Sequence, residues 1–257
     1  MRDVVVLNLF QFSAVYLLLL VVLVIMKKCK INQSKLLVIG SIRMTVQLVL
    51  AGFVLTYIFK NPHPVFVIIY LLLMIGMATH TVLSRNKGVS SRFALIVAIS
   101  LSATGILIIA FFILGVVGVS FFNPQYTIPI SGMIVGNAMT GVSLGLKTFN
   151  ENIRTQKLKI DTLINIGATP KSILIPFVNK ALETALLPTL NSMVGMGVIS
   201  LPGMMTGQIL SGTLPTTAIL YQIAIMIAIT VVTCLAVFCS LFFGYRTLYN
   251  SQNQMLI

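Results

Sequence analysis

Few side chains in this sequence of 257 residues can do chemistry, because only 4 are Asp or Glu and 2 are His. Inside apolar stretches the candidates are Glu183, three residues after Lys180, and His80, which follows Met74 and Met77 at helical spacing. Acids at membrane depth are expensive and are kept where they pair or handle ions. Glu183 therefore has two readings: a carboxylate paired with Lys180 on one helical face, or a coupling acid for substrate or protons. Met74, Met77 and His80 read either as packing, for which Met is an adaptable filler, or as a stripe able to hold a soft metal. GVSLGLKT at 141–148 lacks the P-loop spacing, since Leu146 separates Gly145 from Lys147, so this chain is not expected to bind ATP itself. Cys29, Cys234 and Cys239 form no CxxC pattern, and no acid pair or Ser/His set suggests an enzyme. No cofactor is expected, and no metal ligands are assigned.

The remaining candidates are uncharged. LPGMMTGQILSGTLP at 201–215 combines helix breakers, hydroxyls and Gln208, and irregular backbone at membrane depth is tolerated only where it is buried or lines a cavity. Met204, Met205 and Gln208, with Asn137, Thr140, Asn191 and Ser192, form a candidate translocation path. Each polar member alone serves equally well as an interhelical hydrogen-bonding residue. Three G-x-x-x-G patterns, Gly132 to Gly136, Gly141 to Gly145 and Gly203 to Gly207, permit close helix packing.

Such residues must be positioned by membrane spans. The chain is 58% hydrophobic and 8% charged, where a soluble domain carries roughly 25% charged residues. The implied fold class is all-α and polytopic, with about seven transmembrane helices at 4–26, 36–59, 65–83, 93–117, 128–146, 173–200 and 216–245. The first stretch reads as a retained span, since it is long for a signal-peptide core and has no cleavage site. Breaks are expected at 118–129 and at 201–215, the latter as a turn. The formal charge of +13 would suggest nucleic acid in a soluble protein. Here 13 of the 17 basic residues fall in the loops 27–35, 84–92 and 147–171 and in the tail after 245, so the charge is a topological address. It puts the N-terminus outside and the C-terminus in the cytoplasm, in a cell membrane, with lipid and not nucleic acid as the surrounding partner.

The loop 147–171 is the longest and most polar segment. Leu158, Thr162 and Ile166 fall at i, i+4 and i+8, with Ile160, Leu163 and Ile164 adjacent, and Arg154, Lys157, Lys159 and Asp161 supply a polar side before Gly167 ends the pattern. This predicts a short amphipathic helix lying on the membrane face, against either lipid headgroups or a protein partner.

DTLINIGATP resembles the E-A-A-x-x-x-G element of ABC transporter permeases, with Asp161 in the Glu position and Gly167 in register. SIRMTVQLVLAGFVL (41–55), IPISGMIVGNAMTG (128–141), INIGATPKS, LLPTLNSM (186–193), VISLPGMMTGQILSG (198–212), YQI (221–223) and YRTLYN (245–250) together resemble the FetB family of ABC permeases, associated with bacterial iron export and related to plant permeases of aluminium tolerance. The resemblance implies a single permease domain over 1–257, with 147–171 as its coupling segment. It also implies a separate ABC ATPase subunit as partner, two of each, and export of iron or a related metal complex. Asp161, Thr162, Ile166, Gly167, Ala168, Thr169 and Pro170 would then couple to the ATPase. Two other readings stay open: a secondary transporter of an organic or anionic solute with Glu183 as coupling acid, and a membrane scaffold that uses its G-x-x-x-G faces for assembly.

Overall fold

The computed structural model describes residues 8–86 and 89–249. Arg2, Lys87, the start of the first expected span at 4–7, Asn250 and the tail beyond it lie outside the described residues. Among those described, seven helices are long and apolar enough to cross a membrane. They are α1 (Leu9–Lys28), α2 (Ser34–Lys60), α3 (Pro64–Arg85), α4 (Ser91–Ala110, continued by a π-helical turn at Phe111–Val117), α5 (Pro124–Thr155), α7 (Pro170–Gly195) and α9 (Pro215–Gly244). Two short helices, α6 (Lys157–Asn165) and α8 (Gly203–Leu210), lie between them.

Three boundaries differ from the sequence expectation, each for a local reason. Asn123 caps α5 by accepting from Gln125 N (3.1 Å), and Pro124 takes the first helical position, where a missing N–H costs nothing. The expected break at 118–129 therefore shrinks to a turn, and Pro129 lies inside the helix. At its other end α5 runs past Lys147 to Thr155, because charges that end a membrane segment do not end a helix; Lys147 and Glu151 pair at i, i+4 (3.8 Å). Its 32 residues span about 48 Å, well beyond the roughly 30 Å hydrocarbon layer. Residues 201–215 are more than a turn, since they contain α8.

The chain forms two compact units. In the first, which holds α1, α2 and residues 210–212, Tyr16 and Thr45 hydrogen-bond between the two helices. Leu17, Leu48 and Phe53 are among the many exposed apolar side chains there, a surface suited to hydrocarbon.

The second unit contains α3 to α7, α8 up to Ile209, and α9 around a continuous apolar core, with α5 packed against α3, α4, α7 and α9. Gly141 and Gly145 bring α5 close to α9: a Cβ at Gly141 would stand 2.4 Å from Thr233 Cγ2, and one at Gly145 would stand 2.9 Å from Val237 Cγ1. Asn86 at the end of α3 is buried and donates to Val82 O (2.9 Å) and Ser143 O (3.4 Å). Phe93 at the start of α4 meets Phe149 edge-on, 6.2 Å between centroids. A Cβ on Gly244 would strike the same Phe93 ring at 2.0 Å. These contacts gather the end of α3, the start of α4 and the ends of α5 and α9 at one pole of the unit, where α6 also lies against α5 and α7.

Candidate coupling helix and translocation cavity

The sequence pattern of α6 predicts one apolar stripe, and the packing divides it. Ile160 is 2% exposed, and Leu163 and Ile164 pack against the core, whereas Leu158 is 85% and Ile166 74% exposed. Asp161, Thr162, Gly167 and Thr169 are exposed beside them, Ala168 is half-buried, and Pro170 is buried. α6 thus presents two large aliphatic side chains and an acid outward while three others anchor it inward. Leu158 escaped the sequence-based choice of coupling residues, although its i, i+8 relation to Ile166 was visible.

The C-terminus of α6 is closed by a pair of crossed backbone bonds. Gly167 N–H donates to Ile164 O (2.9 Å), and Ala168 N–H donates to Leu163 O (2.9 Å), the arrangement that requires a left-handed residue after the helix. Gly167 supplies it at φ +89°. Thr169 then caps α7 by accepting from Ser172 N (3.4 Å), with Pro170 at the first helical position. Gly167→Ala is expected to cost about 1–2 kcal/mol locally, since a Cβ disfavours that conformation. Faster amide hydrogen exchange at Ala168 with little change in global melting checks this.

Translocation candidates lie at the middle of α5 and along the later half of α7. A cavity of about 290 Å³ lies between α5, α7, α9 and the segment leading into α8. Asn137, Thr140 and Met204 line it together with Ser192, Thr189 and Gln222. Asn137 Nδ2 donates to Met133 O (2.8 Å), and Thr140 Oγ1 donates to Gly136 O (3.0 Å). A second cavity, about 480 Å³, adjoins it across Met196, Gln222 and Met226, and Met205 lines this one. Asn191 is exposed and belongs to neither lining, and Gln208 on α8 is likewise outside both. Pro188, which lines the first cavity, withholds the N–H that would satisfy the Thr184 carbonyl one turn earlier.

Gln222, absent from the sequence-based path, is the residue shared by both cavities that carries an amide. It is 7% exposed; its Nε2 donates weakly to Met196 Sδ (3.7 Å), and its Oε1 has no hydrogen-bond partner. The signal was present as the one amide in the apolar run of α9. His80 is exposed, and Met74 beside it packs toward α5, its Cε 3.3 Å from where a Cβ on Gly132 would lie. Lys180 and Glu183 form an ion pair of 2.9 Å. Among the described residues no three His, Cys, Asp or Glu side chains cluster to hold a metal.

With this geometry in place, the family model that matches residues 9–249 is decisive. The chain belongs to the uncharacterised protein family UPF0014. It is 34% identical over 220 residues to the UPF0014 membrane protein YjkA of Bacillus subtilis, covering 84% of this chain and 85% of that protein. It is 31% identical to the probable iron export permease protein FetB of Escherichia coli, covering 94% and 92%. It is also 38% identical to the Arabidopsis thaliana protein ALUMINUM SENSITIVE 3, over 72% and 66%. No solved structure matches the chain. The UPF0014 match embraces α1 through α9, so both the α6 face and the twin cavities belong to the family's matched region.

Proposed function

We propose that this UPF0014 member is the permease subunit of an ABC transporter in the plasma membrane, exporting a metal ion or metal complex at the expense of ATP hydrolysed by a separate ATPase subunit, two copies of each. The observation that carries the reading is the outward pair Leu158 and Ile166 on a short helix held between two spans. Exposed aliphatics flanking Asp161 suit a protein groove, in which each gains roughly 1.5–3 kcal/mol on burial. The name of the Escherichia coli relative, a probable iron export permease, supports metal export in general terms.

The pole that carries α6 is cytoplasmic in this reading, with the N-terminus outside and the C-terminus inside, because the basic residues at the ends of the second unit's helices gather there. Movement of the ATPase would displace α6. Gly167, Thr169 and Pro170 would pass the displacement to α7, whose far end carries Pro188, Thr189 and Ser192 in the cavity wall. One continuous helix thereby links the docking face to the cavity.

Reconstitution with the cognate ATPase tests this: vanadate-sensitive ATP turnover stimulated by a transported metal supports it, and turnover indifferent to the permease overturns it. Glu183→Gln is expected to leave ATP-driven transport within about twofold of the parent, because its carboxylate is exposed and already paired with Lys180. A secondary transporter using Glu183 would lose transport in that variant and be unaffected by removing the ATPase.

A further inference from the structure

The chemistry of the cavity walls narrows the cargo. The two adjoining cavities are lined by Met133, Met193, Met196, Met204, Met205 and Met226, and by no charged side chain. These are six of the chain's 13 methionines. A strongly hydrated divalent ion entering such a site would surrender its water to uncharged ligands with no carboxylate to offset the loss, and hard or borderline ions prefer carboxylate and imidazole oxygen and nitrogen. Thioethers are the ligands that select soft, weakly hydrated d¹⁰ cations.

One thioether is also oriented. Gln222 Nε2 lies 3.7 Å from Met196 Sδ, whereas the Thr230 hydroxyl, 3.2 Å from Met193 Sδ, gives its proton to Met226 O (2.8 Å). A thioether sulfur has two lone pairs, so the Gln222 contact occupies one on Met196 and leaves the other for a ligand. Gln222 supplies the independent sign of a ligand site. Its side chain is more than nine-tenths buried, it lines both cavities, and its Oε1 is without a hydrogen-bond partner, a state that costs roughly 1–3 kcal/mol unless something fills it. Met196 and Met226 share its position at the junction.

We propose that the junction of the two cavities binds a soft monovalent metal cation, Cu(I) or its surrogate Ag(I), through the thioethers of Met196 and Met226, with the side-chain amide oxygen Oε1 of Gln222 as a weaker third ligand. This deepens the permease reading by naming its substrate class, and it rests on that reading only for transport, not for binding.

The test uses the full chain in nanodiscs without the ATPase, carrying Cys29→Ser, Cys234→Ala and Cys239→Ala so that no thiol competes. Ag(I) retained after desalting is measured by mass spectrometry, and X-ray absorption reads the shell around bound Cu(I). About one ion per chain with a sulfur-containing shell is expected, and Fe(II) should not be retained. Met196→Leu with Met226→Leu, close in volume and hence tolerated by packing, should weaken retention by more than about tenfold, the lower end of the loss on removing even an indirect metal partner; Gln222→Leu should weaken it less. Met74→Leu with His80→Ala should change nothing. Retention unaffected by the Met196 and Met226 changes, a shell without sulfur, or preference for Fe(II) would each overturn the site, and the absorption result stands even if a variant folds poorly. Metal bound without ATPase coupling would refute the transporter reading alone, whereas coupling without Ag(I) or Cu(I) binding would refute the substrate class alone.

Discussion

Exchanging Leu158 and Ile166 for Asp is expected to abolish recovery of the ATPase with the permease while leaving the permease folded. Both side chains are exposed on α6, so their loss removes nothing from the core, which is reached instead by Ile160, Leu163 and Ile164. In a complex each would contribute roughly 1.5–3 kcal/mol by burial, and the pair therefore about a hundredfold or more in affinity. New carboxylates forced against a groove add a desolvation cost. Co-purification and ATP turnover read the docking, and thermal melting in detergent reads the fold. The complementary variant Ile160→Asp should do the reverse at the first step, placing a charge in the core and unfolding the α6 region itself. If the Leu158 and Ile166 double variant still binds and drives the ATPase normally, α6 is not the coupling element.

The second large effect is expected at Gly141. Gly141→Ala should lower the melting temperature by several degrees, while Gly136→Ala, five residues earlier on the same helix, should leave it unchanged or raise it. Helix propensity alone favours Ala over Gly by roughly 1 kcal/mol at both positions. At Gly136 a Cβ meets nothing within 4 Å, so that gain is retained. At Gly141 it would stand 2.4 Å from Thr233 Cγ2, and Thr233 is fully buried on α9. Forcing the helices apart costs about 1–3 kcal/mol, enough to reverse the sign. Because Gly141 also lines the smaller cavity, the same substitution should reduce transport more than its stability loss requires. Equal melting of the two variants would show that α5 and α9 do not approach as described.

These two cases also show how far pattern reaches. Three G-x-x-x-G segments have the same spacing, yet only Gly141 and Gly145 meet atoms of another helix closely at both positions; Gly203 and Gly207 meet nothing within 4 Å. Spacing states that a close approach is permitted, whereas the neighbouring helix decides whether it happens. The α6 stripe is a similar case. Periodicity places Leu158, Thr162 and Ile166 on a shared line and Ile160, Leu163 and Ile164 beside it, but a nine-residue helix with apolar residues over so wide an arc can be turned either way. Contacts with α5 and α7 choose the inward set, and by doing so leave the outward set without a partner.

Composition and segment length suffice for the class of protein and the number of long apolar helices, because the bilayer imposes a length and an apolarity that any spanning segment must meet. The sequence also locates the amphipathic segment and the Gly167 stop, which are local properties of backbone and side chain. Which residues line the cavity follows instead from how the helices pack. Asn137 and Thr140 line it and Asn191 does not, while Gln222, one amide in an apolar helix, lies at the junction of both cavities. The physical reason is that membrane spans are apolar on every side, so the pattern that reveals an inward face in a soluble helix is erased; which polar residue meets a cavity depends on helix rotation, set by contacts such as Gly141 against Thr233 that lie far apart in the chain.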